Sequence, residues 1–190
     1  MGRNLQSIRF FKGTFDRSRA GNSLVELPAA IWFFFMVLLF PLADLATVTL
    51  RATTVYVAAK HAARAAGRAR TFLVNRDNGE LSAVNAAQRE VFLVKTKGPS
   101  GLEISPTDVV ISIIGVPVKK SLPPIKQQEK LGSIKNGDYI FQIEVRVTGQ
   151  VQPLVPLNSS VFGNVPGLTA PVPITASFRE FCEHPGGLST

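Results

Sequence analysis

Few side chains in this 190-residue sequence combine type and spacing in a way that supports chemistry. Cys182 and His184 stand two residues apart near the C-terminus and supply the halves of a thiol–imidazole pair, although a free thiol is the plainer reading. His61 has no Cys, Asp or Glu ligand near it and reads as a structural residue within a helix. The sequence has no Ser-His-Asp set on a nucleophile elbow, no phosphate loop, no HExxH and no paired carboxylates in a recognisable context. No catalytic activity, cofactor or metal is therefore expected. What remains is the chemistry of charge. Glu26 borders a long apolar run, and a carboxylate at the edge of a bilayer helix is costly unless it has a partner. Cleavage of the chain after Gly21 would create one, because the new α-amino group of Asn22 would then stand four residues before Glu26. Lys60, Arg64 and Arg68 recur every four residues and form one cationic stripe along a helix.

Composition narrows what can position these groups. Hydrophobic residues make up 45% of the chain and charged ones 18%, so it is not disordered as a whole. The net charge of +8 is unevenly placed. Residues 1–76 hold 11 Lys and Arg against Asp16, Glu26 and Asp44, whereas residues 77–190 hold 10 of each sign. A basic nucleic-acid-binding domain would not be neutral over its larger part. One cysteine and two histidines exclude an internal disulfide framework and make a Cys- or His-based metal centre improbable.

Between Glu26 and Arg51 lie 24 residues, LPAAIWFFFMVLLFPLADLATVTL, in which Asp44 is the only charge. At about 1.5 Å per residue such a helix reaches roughly 36 Å, enough for a hydrocarbon core of about 30 Å. A transmembrane helix over residues 22–50 is predicted. Pro28 sits near its start, where a lost N–H matters little, and Pro41 should kink it. Asp44 should lie near the outer end and reach the headgroups, or else make a polar contact to a partner helix. Cleavage as an ordinary secretory signal fits less well, since the apolar run exceeds the usual 7–15 residues and Asp44 occupies the most plausible downstream site.

The stretch RSRAGNSLVELPAA, residues 17–30, joins a basic leader ending in Gly21 to four uncharged residues, Glu26 and the apolar run. This arrangement resembles type IV prepilins, and in detail the TadE-like pseudopilins of tight-adherence pilus systems. In that family a basic, Gly-terminated leader precedes a glutamate at the fifth mature position. An apolar helix follows, and then an Ala/Arg-rich segment of the type found here as AAKHAARAAGRAR, residues 58–70. The resemblance is close over residues 17–76 and general beyond them. It departs from the pattern in Pro28, which closely follows the glutamate, and in polar Asn22 and Ser23. The chain is also much longer than the major pilins, which implies a minor or accessory subunit.

The resemblance implies a prepilin peptidase as partner, acting at Gly21 and Asn22, with Glu26 pairing an N-terminus to set subunit register. Other pilins or pseudopilins, an inner-membrane assembly platform and the lipid bilayer are the further partners implied, with no nucleic acid among them. It also breaks a tie in orientation. The residues before Glu26 carry a net +4 and residues 51–76 carry +6, so the positive-inside count favours neither end. A leader cut by its peptidase must be cytoplasmic, which places the C-terminal part on the far side of a bacterial inner membrane.

The elements expected after the span give an α+β fold. Residues 51–76 read as an alanine-rich helix emerging from the membrane, with a small-residue face of Val55, Ala58, Ala59, Ala62, Ala66 and Ala69 that would let another helix approach closely. Its stripe of Lys60, Arg64 and Arg68 would meet anionic headgroups or a partner's acids. An exported domain, residues 77–190, should follow the turn NRDNGE. It should hold a helix over 80–97 and a mainly antiparallel sheet of about three strands, over 108–118, 139–151 and 173–181. Residues 119–136 read as a solvated connection, the proline-rich stretch 153–173 as a loop able to pack on a neighbour, and the residues after Glu183 as a frayed tail. The expected function is assembly or initiation of a tight-adherence pilus or related secretion fibre. A signal-anchored periplasmic enzyme or binding domain, and a membrane-tethered adaptor for acidic partners, are the rival readings.

Overall fold

The computed structural model describes residues 18–119, 121–132, 137–155 and 163–189. The chain falls into two compact units, Met1–Phe40 and Pro41–Thr190. In the first, α1 spans Ser18–Phe34 and a single π-helical turn spans Phe35–Leu39. This turn lies where Pro41 was expected to kink the helix. The Phe40 N–H bonds to the Phe35 carbonyl, the wider i→i+5 pattern, directly before a residue that has no N–H to give. The side chains of α1 from Leu27 onward and of the π turn are exposed, including Ile31, Trp32 and Phe33.

The second unit contains α2 (Phe40–Arg68), α3 (Ala83–Lys97) and strands β1 (Leu102–Glu103), β2 (Val109–Pro117), β3 (Ile125–Gln127), β4 (Tyr139–Val151) and β5 (Val172–Phe181). The α+β class holds, but the sheet is larger than expected, with five strands, all paired antiparallel. β4 is its centre. It pairs with β2 from Val109↔Val147 to Pro117↔Tyr139, with β5 from Gln142↔Phe181 to Val151↔Val172, and with β1 at Leu102↔Val151. β3 lies in the expected solvated connection and pairs with β2 at Ile113↔Gln127 through Gly115↔Ile125.

The strand period of two decides which side chains enter the core. Phe141, Ile143, Val145, Val147 and Val151 of β4 are buried on one face, opposite Ile111 and Ile113 of β2. They share one cluster with Val55, Ala58, Ala59, Ala62, Ala63 and Ala66 of α2. The small-residue face predicted to receive another helix is thus occupied by the chain's own core. Alanine suits that place because its methyl lets a helix approach the pleated surface closely. At Gly149 of β4 the approach is closer still: a Cβ there would lie 3.0 Å from Val55 Cγ2 and from Leu102 Cδ1.

Three further expectations are corrected. The alanine-rich helix ends at Arg68, short of residue 76, because the chain must leave it to bury Phe72. The carbonyls of Thr71 and Phe72 then accept the N–H groups of Ala83 and Val84 at the start of α3. That helix begins three residues later than predicted, capped by the Ser82 hydroxyl on the Asn85 N–H. The residues after Glu183 are not frayed. Pro185–Ser189 form a 3₁₀ turn, Leu188 is buried, and the carbonyls of Gly187 and Leu188 accept the N–H groups of Phe72 and Leu131.

Candidate functional site

Gly21 and Asn22 both lie within α1, so the bond between them is helical. A peptidase that takes an extended substrate must unwind that part of the helix first. Gly21 eases this, since glycine costs a helix interior about 1 kcal/mol relative to alanine. Glu26 is on the same helix and exposed, one residue before the apolar run.

The cationic stripe is positioned by the packing of α2 on the sheet. With the alanines turned inward, Lys60, Arg64 and Arg68 lie along β5 and the residues just after it. The Lys60 ammonium stands 6.0 Å from the centre of the Phe178 ring. Arg64 pairs with Glu180 at 3.8 Å and Arg68 with Glu183 at 3.6 Å. The structure therefore brings the three residues together with acids of this same chain. Both arginines keep more than half of their side-chain surface open, 53% and 73%, which leaves them able to contact a second molecule.

Asp44 departs most from expectation. It does not reach outward to headgroups; it is completely buried. Its Oδ1 accepts the N–H of Val155 at 2.9 Å, from the proline-rich loop. Seven residues on, Arg51 is 5% exposed and donates from Nη1 to the carbonyl of Gln152. Between them, Val48 meets the same loop at Gly167, where a Cβ would lie 3.9 Å from Val48 Cγ2. Positions 44, 48 and 51 share one face of α2, so the helix holds the loop along about 10 Å of its length. The other oxygen of Asp44 and the Nε of Arg51 are buried without a hydrogen-bond partner among the described residues.

On the face of the sheet away from α2, Glu144 is nearly buried between two cations. Lys126 Nζ lies 2.6 Å from one carboxylate oxygen and Arg179 Nη2 lies 3.2 Å from the other. Burial pushes this carboxyl up, but the hydrogen bonds and charges of Lys126 and Arg179 outweigh it and hold the group below the ordinary glutamate range. The sequence signalled the position of Glu144, in the outward phase of the 139–151 alternation. It gave no sign of its partners, which depend on the registers Glu144↔Arg179 and Ile114↔Lys126.

The Cys182 thiol is half-buried and pushed up by that burial, and the adjacent Glu183 adds to the effect against a hydrogen bond at His184. A nucleophilic thiolate requires the opposite environment. Among the described residues no three His, Cys, Asp or Glu side chains are grouped to hold a metal ion. A groove of about 340 Å³ between α3 and the start of β2 is lined mainly by Val91, Phe92, Ile104 and Val109, with Gln88 and Lys95 at its polar edge. Comparison with known protein families, curated proteins and solved structures found no match to this chain.

Proposed function

We propose that the chain is a minor pilin-like or pseudopilin-like subunit that assembles or initiates a tight-adherence or related type IV-like fibre. The observation that carries this reading is the order of parts at the N-terminus. A basic leader ends in Gly21, Glu26 follows five residues later, and the helix after it is long and apolar enough to cross a membrane. That helix leads in sequence into an alanine-rich stretch packed on a small antiparallel sheet. In this reading a prepilin peptidase cuts between Gly21 and Asn22 on the cytoplasmic side of a bacterial inner membrane. The sheet domain is exported, and Glu26 pairs with the new amine of a neighbouring pilin to set the axial register.

The geometry of α2 favours a protein over lipid as the contact of the cationic stripe. Lys60, Arg64 and Arg68 lie 9, 13 and 17 residues beyond Arg51, or about 13–26 Å farther along the helix. The headgroup layer adds only about 5–8 Å to each side of the hydrocarbon core. Glu180 and Glu183 already offset part of this charge, which weighs against nucleic acid as the partner.

N-terminal sequencing of membrane-extracted protein tests the reading. In cells with the peptidase it should begin Asn22-Ser23-Leu24, and in cells without it the leader should remain. A mature start at Met1, or one near Thr47, would refute the proposal. Glu26→Gln, which keeps shape and hydrogen bonding, should leave insertion and cleavage intact while lowering fibre output. Normal output would reduce Glu26 to capping its own helix.

A further inference from the structure

The loop that Asp44 holds belongs to the longest uncharged stretch of the sequence. Residues 147–178 contain no Asp, Glu, Lys, Arg or His. Within it Leu154 is 54% exposed, Val155 40% and Val165 42%, with Pro153 and Pro166 beside them. The loop meets α2 through the backbone N–H of Val155, bonded to Asp44, and at Gly167, where a Cβ would lie 3.9 Å from Val48 Cγ2. On that same stretch of α2, Leu42 and Leu45 are themselves more than half exposed. The polar groups of this stretch are buried or satisfied within the helix. Asp44 is buried, and the hydroxyls of Thr47 and Thr49 return to the carbonyls of Ala43 and Leu45 at 2.8 and 2.9 Å. Among the described residues this part of the second unit therefore leaves the side chains of Leu42, Leu45, Leu154, Val155 and Val165 open while its charged groups Asp44 and Arg51 are buried, an arrangement that bilayers accept.

Chain length limits how far this surface can lie from the apolar run. The wholly apolar run Leu27–Ala43 has 17 residues and reaches about 25 Å, short of a hydrocarbon core of about 30 Å. The remaining ~5 Å corresponds to about three more residues, Asp44–Ala46, the turn of α2 on which Val155 is held. Drawing that turn to the edge of the core would expose a carboxylate to lipid unless something covered it. The loop covers it, with its backbone N–H bonded to Asp44 and its Leu and Val side chains outward.

We infer that the loop segments carrying Leu154, Val155 and Val165 form a collar around α2 that inserts into the outer interface of the bilayer. Leu42 and Leu45 complete the collar on the helix itself. Asp44 is the latch that holds it there. The inference rests on the reading of the apolar helix as a membrane span.

Fluorescence from single tryptophans tests the collar and the span separately. The full chain has one tryptophan, Trp32, within the apolar run. In phosphatidylcholine/phosphatidylglycerol vesicles, lipids brominated deep in the acyl chain should quench Trp32. In a Trp32→Phe/Leu154→Trp variant, lipids brominated near the headgroup should quench the new indole and its emission should shift to the blue. A Trp32→Phe/Ser177→Trp control, on the exposed outer side of β5, should keep a water-like emission. Val165→Trp serves as a second probe if Leu154→Trp disturbs folding. Adding Asp44→Ala to the L154W probe should abolish its quenching. Adding it to the wild-type background should leave Trp32 quenched. Quenching of Trp32 without quenching of L154W or V165W overturns the collar and leaves the span intact. Failure to quench Trp32 overturns both. Equal quenching of S177W would mean that the sheet face lies on the membrane, and also overturns the collar.

Discussion

Gly67→Ala reports, through the sign of one stability change, whether α2 and the sheet meet as described. Gly67 is the last residue but one of α2 and is buried. In an exposed helix the substitution would stabilise by about 0.4–1 kcal/mol, since alanine has the better helix propensity and a less disordered unfolded state. Here the new methyl would lie 2.8 Å from the carbonyl oxygen of Phe181 and 3.1 Å from Glu180 Cγ. The glutamate can move, but the carbonyl cannot easily do so. Its neighbour Cys182 donates to the Phe141 carbonyl at 3.0 Å, and Glu183 donates to the carbonyl of Gly67 itself at 2.9 Å. Forcing a methylene-sized group into such a contact costs about 1–3 kcal/mol, which exceeds the helix gain and leaves a net loss of roughly 1–2 kcal/mol. For a domain of this size the midpoint of thermal unfolding should fall by roughly 3–6 °C, followed by far-ultraviolet circular dichroism of the full chain in detergent. A variant that melts at the same or a higher temperature would show that the end of α2 does not abut the end of β5.

Glu144 should make the sheet domain acid-sensitive. Its carboxyl is held below the ordinary range in the folded state, so its stabilisation is complete above the unfolded value of about 4.3 and is lost as pH falls through the lower folded value. Glu144→Gln should lower stability by about 1–2 kcal/mol at neutral pH, the worth of charged hydrogen bonds discounted for half-exposed Lys126 and Arg179, and the gap from wild type should close in acid. A gap that is constant from pH 7 to pH 3 would contradict this account. Charge reversal of Lys60, Arg64 and Arg68 together should cost under about 1 kcal/mol per ion pair, because the pairs are exposed, and should impair fibre assembly in a folded protein. Unfolding of the domain would show instead that the stripe is structural, and tight salt-sensitive DNA binding by the wild-type chain would oppose the assembly reading.

The parts of the fold legible in the sequence are those whose pattern is self-sufficient. The run YIFQIEVRVTGQV alternates and is rich in β-branched residues, and it becomes β4 with both ends as predicted. β3 was not legible. Ile125-Lys126-Gln127 follows two prolines, has one β-branched residue and is a strand only because β2 offers it a ladder. The end of α2 was hidden for the opposite reason: local propensity continues past Arg68, and only the place held for Phe72 in the core stops the helix. Leu188, alone among Gly, Pro, Ser and Thr, gave no periodic signal, yet one buried leucine with two backbone hydrogen bonds suffices to dock the C-terminal turn. The alanine face was visible as a surface built for close approach. Small side chains say that something comes near and are silent on whether it is a helix or a sheet.

The candidate site was read least well where sequence charge was taken for surface charge. Residues 51–76 carry six cations and no acid, which along the chain looks like a basic module. On folding, Arg64, Arg68, Arg70 and Arg76 each face a glutamate from beyond residue 76: Glu180, Glu183, and Glu80 for the last two. The asymmetry between +8 and zero is thus partly cancelled in space, and what was expected to be a basic patch is a set of exposed ion pairs, two of them at the end of β5 and two with Glu80 before α3. The same folding acts inversely near the start of α2. There the sequence shows an unfavourable Asp44 in an apolar helix, and the structure removes it from the surface by bringing an uncharged loop over it. Burial of one acid and pairing of four arginines have a common result. In both places charge that looks free along the sequence is compensated in the fold, that of Asp44 by an N–H from the loop and that of the arginines by glutamates.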